Sequence, residues 1–385
     1  MILNTLLKIF VVVFCIIAYF LFRDAKTPRY PLFFNFFVKN LIWILIYLVF
    51  DFSHTSDLIA YKNFLDKVNS GLIPNQDFDF PYGPLFLHLF ELLNPIENFI
   101  FWYFCLTLID TTILKLLMGK NKENSNEIFW FWFFNPLNII LTVILGQNQI
   151  LILFFATLAL ISHSKKIYRV SAIFSMGAIL VKMIQFLFLP GFFVFLWLRS
   201  RKLIWLALLP IFAYTFIGLM FTPKWFVGVQ NEFNLLAPGN ISFWIVKIFP
   251  VLDLDILNTL SAISILAISL YCIRNFQPNE NLFLIATLVT LIAFLLTNPR
   301  SYSQYWIFTL PLMLLIQDKK LHRELMFNVA ILSMLVPVET SFYFNFILEK
   351  SFNNTFSWLA LFALDSLILY YGLFSFKKLI RFQKL

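Results

Sequence analysis

Apolar runs of membrane-crossing length recur along the whole chain, near 3–22, 32–50, 98–117, 128–145, 149–162, 170–184, 186–199, 203–221, 256–273, 281–297, 304–317, 325–338 and 356–376. A helix needs about 20 apolar residues to cross the roughly 30 Å hydrocarbon core of a bilayer. So many runs in 385 residues, with 61% of residues hydrophobic and only 13% charged, exceed what a soluble core hides. Backbone groups in lipid must be hydrogen-bonded internally, which leaves helices or closed barrels. None of the runs shows the ten-residue alternation of a barrel strand. The expected fold is all-α, a polytopic transmembrane helical bundle of about 13 spans, forming a single integral membrane domain over 1–385.

Charge sets the expected orientation. Loops that share one side under this map hold 20 of the 29 basic residues: Arg23, Lys26 and Arg29 after the first run, Lys165, Lys166 and Arg169 after the fifth, Lys377 to Lys384 at the C-terminus, and others between. The opposite side keeps Lys62, Lys67, Lys182, Lys224, Lys247, Arg300 and Lys350, while Lys8 and Lys39 fall within or beside the first two runs. Loops rich in Lys and Arg stay in the cytoplasm. The C-terminus is thus expected inside and, with an odd number of spans, the N-terminus outside. The first run is kept as a span, because its positive charges follow it and no small-residue cleavage site appears. The net charge of +9 is accounted for by this bias, and no basic stripe with interleaved aromatics is left to bind nucleic acid. Cys15, Cys105 and Cys272 are isolated and form no CxxC pair, so neither a zinc site nor a disulfide framework is indicated.

Two loops on the acid-rich side are long enough to carry structure, 51–97 and 222–255. In the first, Leu58, Ile59, Tyr61, Phe64, Leu65 and Val68 form a stripe at helical spacing, which predicts a short amphipathic helix on the membrane surface. Gly71 and Pro74 end it, Pro81-Tyr82-Gly83-Pro84 reads as a turn, and an apolar segment follows over 85–93. Short interfacial helices are expected in both loops.

No GxSxG, HExxH, GxGxxG or phosphate-binding loop occurs. What stands out is acid outside the membrane, with Asp51, Asp57, Asp66, Asp77 and Asp79 in one loop. Asp66, Asp77 and Asp79 read as solvated loop charges. Asp57 lies just beyond a span, where burial raises a carboxylate toward a useful general base. Asp51 and His54 are near enough in sequence to orient it or to serve in its place. Asp110 and Asp365 fall within apolar runs with no partner apparent.

The order Asp57-x-x-x-Tyr61, Gly71, Pro74 and Phe80-Pro81-Tyr82-Gly83-Pro84 resembles the first outer loop of GT-C glycosyltransferases that use polyprenyl-phosphate sugars. The likeness is to the polyprenol-phosphate-mannose-dependent mannosyltransferases and the related glycosylphosphatidylinositol mannosyltransferases. Asn135-Pro136 followed by Gly146-Gln147-Asn148 resembles another family pattern, and Lys182 resembles a Lys that follows it. The likeness covers about 50–190, with further support at Asn240-Ile241-Ser242 and Asn298-Pro299-Arg300-Ser301-Tyr302. The chain departs from the family where Gln304, and not His, precedes Tyr305, where the turn's prolines are separated, and in its extra N-terminal span.

The resemblance implies transfer of a hexose, mannose by the closest likeness, from a polyprenyl-phosphate donor to a lipid or glycan acceptor outside the cytoplasm, with inversion and without a metal or cofactor. Asp57 is the implied catalytic base, supported by Asp51, His54 and Tyr61, and Lys182, Arg300, Gln147, Asn148 and Tyr82 are the implied donor-binding residues. Interfacial snorkelling is the ordinary alternative for Lys224 and Lys247, and a polar loop tip for Gln147, Asn148 and Gln149. The membrane would be the cell membrane, or the endoplasmic reticulum in a eukaryote. A polytopic transporter or lipid-linked sugar flippase is the rival reading; it would place ionisable groups mid-membrane.

Overall fold

The computed structural model describes residues 2–50, 56–94, 99–182, 188–222, 224–225, 236–277, 281–344 and 355–384. Among these the chain is all-helical, and the extended pairing consists of an isolated bridge between Pro74 and Phe78. The helices are α1 (Ile2–Phe22), α2 (Pro31–Phe50), α3 (Ser56–Asn69), α4 (Leu85–Leu93), α5 (Phe99–Lys120), α6 (Ser125–Phe133), α7 (Pro136–Ile139), α8 (Gln149–Ser164) and α9 (Tyr168–Val181). They continue with α10 (Leu189–Arg199), α11 (Trp205–Phe221), α12 (Ile241–Ile248), α13 (Leu254–Asn275), α14 (Leu282–Thr297), α15 (Thr309–Leu314), α16 (Lys319–Phe342) and α17 (Thr355–Lys384).

Six of the described helices are long and apolar enough to cross a membrane, or seven if α6 and the helical stretch after it count as one span. Others are apolar but shorter, at 10–17 residues. The run 128–145, expected as one straight span, is two helices bent by 50°. Pro136 has no N–H to continue α6, and the Asn135 side chain caps the next helix by accepting from Asn138 N. The run 304–317 likewise begins as a 3-10 stretch, Ser303–Phe308, before α15.

Burial divides the bundle into a wrapping and a centre. Large apolar side chains stand exposed along α1, α2, α11, α13 and α17, as at Phe10, Leu48, Phe216, Leu266 and Leu359. That is the outer surface a hydrocarbon solvent requires, where water would penalise it. α14 is by contrast buried nearly throughout, packed by α10, α13 and α17. Further tight pairs are α8 with α9, α16 with α17, and α5 with α8.

The loop helices follow the expected boundaries but not the expected setting. α3 presents its stripe to protein: Leu58 and Tyr61 are fully buried, with the Tyr61 ring packed edge-on to Phe86 and Phe90 of α4 and Trp102 of α5. Two short helices of the first loop are therefore seated on the bundle by aromatic packing.

Two buried acids expected without partners both have them. Asp110 Oδ2 accepts from Lys39 Nζ at 2.6 Å and Asn35 Nδ2 at 3.0 Å, and Oδ1 from Trp132 Nε1 and Asn138 Nδ2, each at 2.8 Å. Asp365 Oδ2 accepts from Trp244 Nε1 at 2.8 Å and Gly239 N at 3.2 Å. Their donors are distant in sequence, so spacing alone could not reveal them.

Candidate active site

Asp57 stands in the first turn of α3, one turn before Tyr61. Two independent turns converge on this pair. The first is Gly146-Gln147-Asn148, which follows a π-helical stretch, Ile140–Ile144; such bulges often mark functional sites. Gly146 has φ +59°, a conformation that side chains resist, and an added Cβ would lie 2.9 Å from the Tyr103 ring. α5 fixes this turn by two bonds: Trp102 Nε1 donates to Gly146 O at 2.8 Å, and Tyr103 Oη to Ile144 O at 3.0 Å.

So held, Gln147 donates its Nε2 hydrogen to Asp57 Oδ2 across 90 residues of sequence. The next backbone N–H, of Asn148, donates to Tyr61 Oη at 3.2 Å. Gln147, Asn148 and Gln149 are all buried. Gln147 Oε1, Asn148 Nδ2 and Gln149 Oε1 have no hydrogen-bond partner among the described residues. Native folds rarely leave buried amides incomplete, and all three lie buried beside the Asp57–Tyr61 pair.

The second turn is Pro81-Tyr82-Gly83-Pro84. Gly83 N donates to Val181 O at 2.9 Å, and a Cβ at position 83 would fall 2.1 Å from Leu180 O. Glycine is thus required for the turn to dock on the end of α9. This docking sets Tyr82 beside Tyr61, ring centroids 5.4 Å apart. It also brings Lys182, just past α9, over the rings of Tyr82 and Tyr305, at 5.1 and 5.7 Å from their centroids.

Burial pushes the Asp57 carboxyl above the usual carboxylate range. The Gln147 hydrogen bond and the positive charges of Lys182 and Lys8 act in the opposite direction. Burial likewise raises the phenols of Tyr61 and Tyr82, whose hydroxyls are hydrogen-bonded to each other. The result is a carboxylate that is shielded yet polarised by two cations, beside two neutral phenols. Such a group can accept a proton from a hydroxyl, and the cations beside it can hold an anionic leaving group.

Of the residues singled out from sequence, Asp57, Tyr61, Tyr82, Gln147, Asn148 and Lys182 are brought together. Asp51 and His54 lie outside the described residues. Arg300 is half-buried in the turn after α14, its backbone N–H donating to Asn298 Oδ1 at 3.0 Å. That turn is tied to the second loop by Ala237 N donating to Pro299 O at 2.7 Å, and it leads into Tyr305, which does face Lys182. Asp77 has a local role, accepting from Ile73 N at 2.8 Å. Lys247 lies over Phe243 and Trp358, as a snorkelling interfacial cation does.

Lys8 is the site residue that sequence reasoning missed. Its charge acts on Asp57 from α1. The available signal was a single lysine in an otherwise apolar run, which in a membrane helix is a functional hypothesis by default.

No protein-family model, curated protein or solved structure matches the chain.

Proposed function

We propose that the chain is a multi-pass membrane glycosyltransferase of the GT-C type. It moves a hexosyl group, mannose by the resemblance of its loop motifs, from a polyprenyl-phosphate donor to a lipid or glycan acceptor. The observation that carries this reading is the buried Asp57 carboxylate, held by Gln147 and within the fields of Lys182 and Lys8. In the reaction, Asp57 takes the proton of an acceptor hydroxyl as that oxygen attacks the anomeric carbon. The bond from that carbon to the phosphate oxygen breaks on the opposite face, inverting the centre, and polyprenyl phosphate leaves with the electron pair. Lys182 meets the new negative charge, with Arg300 the further cation of this side, and the amides of Gln147 and Asn148 hydrogen-bond the sugar or phosphate.

This reading includes the finer topology: thirteen crossings, the Asp57 end outside, and the basic loops in the cytoplasm. Lys8 near the start of α1 acts on Asp57, which supports an N-terminus on the same side. The Lys39–Asp110 pair is locally satisfied and reads as a structural tie, which weighs against the transport alternative at that pair.

The test is donor choice. Purified protein should transfer sugar from a polyprenyl-phosphate donor to a lipid or glycan acceptor; efficient use of a nucleotide sugar with no lipid carrier would overturn the proposal.

A further inference from the structure

The far end of the bundle carries a second concavity that the reaction at Asp57 does not use. α8 runs 16 residues from Gln149, beside the Asp57 turn, to Ser164, so its two ends are about 24 Å apart. Where α8 ends, a cavity of about 580 Å³ opens between the C-terminal ends of α5, α8 and α10 and the N-terminal ends of α9 and α14. Its size is that of a small-ligand pocket.

Its chemistry is one-sided. Lys120, Lys166 and Arg199 line it, Asn281 and Gln317 add amides, and no Asp or Glu is among its described lining residues. The positive-inside tendency accounts for lysine and arginine at this end of a membrane bundle. It does not account for His163. This residue also lines the cavity, is only 4% exposed, and has neither Nδ1 nor Nε2 hydrogen-bonded among the described residues. Its ring is clamped, stacked 3.6 Å from the Phe283 centroid and edge-on to Phe195 at 4.2 Å. A buried imidazole with two unused nitrogens is costly unless something else satisfies it. An unsatisfied imidazole in the wall of a cavity lined by three cations is a donor that a phosphate oxygen would complete.

We infer that this cavity binds a phosphate ester, with Lys120, Lys166 and Arg199 neutralising its charge and His163 donating to one of its oxygens. The volume exceeds what inorganic phosphate fills, so the ligand carries a headgroup or sugar beside the phosphate. The chemistry is shared by an anionic lipid headgroup and a soluble sugar phosphate. The inference is independent of the role of Asp57.

The test uses the full chain in nanodiscs of neutral lipid, with Ser164→Cys at the cavity rim carrying an environment-sensitive fluorophore. The three native cysteines are free and buried, which favours selective labelling. Phosphatidic acid is the lipid probe, with diacylglycerol as its uncharged control, and glucose 1-phosphate is the soluble probe. A saturable response to at least one phosphate probe is expected, weakened at least tenfold by Lys120→Gln/Lys166→Gln/Arg199→Gln and by His163→Phe, which keeps the stacking and removes the N–H. A response to phosphatidic acid alone assigns a lipid headgroup, and a response to glucose 1-phosphate a soluble ester. Should His163→Phe fail to fold, the triple variant decides, since it alters the rim and leaves the packed floor intact. No response to either probe, or a response that the triple variant leaves unchanged, overturns the inference.

Discussion

Gln147 donates its side-chain N–H to Asp57, joining a tight turn between two apolar helices to the first turn of a loop helix 90 residues earlier. The bond favours the ionised carboxylate against the burial that raises its pKa. A general base works only when deprotonated, so activity should fall as pH drops through that raised value, at higher pH than an ordinary carboxylate would give. Asp57→Asn should cost at least about 10²-fold in kcat at every pH, with expression unchanged. Gln147→Leu should instead move the acid limb upward, because the donor that offsets burial is gone, and lower the plateau as well, because its amide no longer holds the sugar or phosphate. Rate profiles over pH 5–9 check both, and an Asp57→Asn enzyme with normal turnover would show that Asp57 is not the base.

The two cations beside Asp57 should separate by role. Lys182 sits over Tyr82 and Tyr305, a fixed position from which to meet a departing phosphate. Lys182→Met should therefore lower kcat more than tenfold. Lys8 approaches from α1 and acts on Asp57 through its field alone. Lys8→Met should shift the acid limb upward with a smaller loss at its plateau. Equal losses in kcat with no movement of the limb would show that Lys8 has no electrostatic hold on the base.

Much of this site could be read from the chain before any fold was known, and the reason is local. Asp57 with Tyr61, Pro81 to Pro84, Gly146 to Asn148 and Lys182 are each short patterns whose residue types answer to helix starts, turns and helix ends. What could not be read is whatever pairs across the bundle. Asp110 finds Lys39, Asn35, Trp132 and Asn138 from three other helices. The charge of Lys8 acts on Asp57 from a run that looks like an ordinary span. The same limit explains α3: an apolar stripe announces a helix with one buried face, but it does not say whether lipid or protein covers that face.

Gly83 should tolerate no side chain. An alanine Cβ would stand 2.1 Å from Leu180 O, a backbone atom that cannot swing aside. Gly83→Ala should push the turn off α9, break the bond from position 83 to Val181 O, and part Tyr82 from Lys182. The expected cost is about 1–3 kcal/mol in stability, with activity lost beyond what the melting temperature explains. A thermal melt in detergent beside a transfer assay checks it. Wild-type activity in Gly83→Ala would show that the turn is not what positions Lys182.

Lys39 and Asp110 form an ion pair with side chains 1% and 0% exposed, and Asp110 accepts four hydrogen bonds from four residues. The carboxylate is saturated, and the pair ties α2, α5, α6 and α7 together. Two charges in a dry interior survive only together: either one left alone faces a desolvation cost with nothing to offset it. Lys39→Met and Asp110→Leu should each cost about 3–5 kcal/mol, visible as a large fall in melting temperature or in detergent-extracted monodisperse protein. The double substitution should cost less than the sum of the two, because no stranded charge remains, although Asn35, Trp132 and Asn138 keep donors without an acceptor. A transport pathway through the pair predicts the opposite pattern, with single variants that fold normally and lose function. Melting curves of the three variants decide between a structural tie and a functional charge.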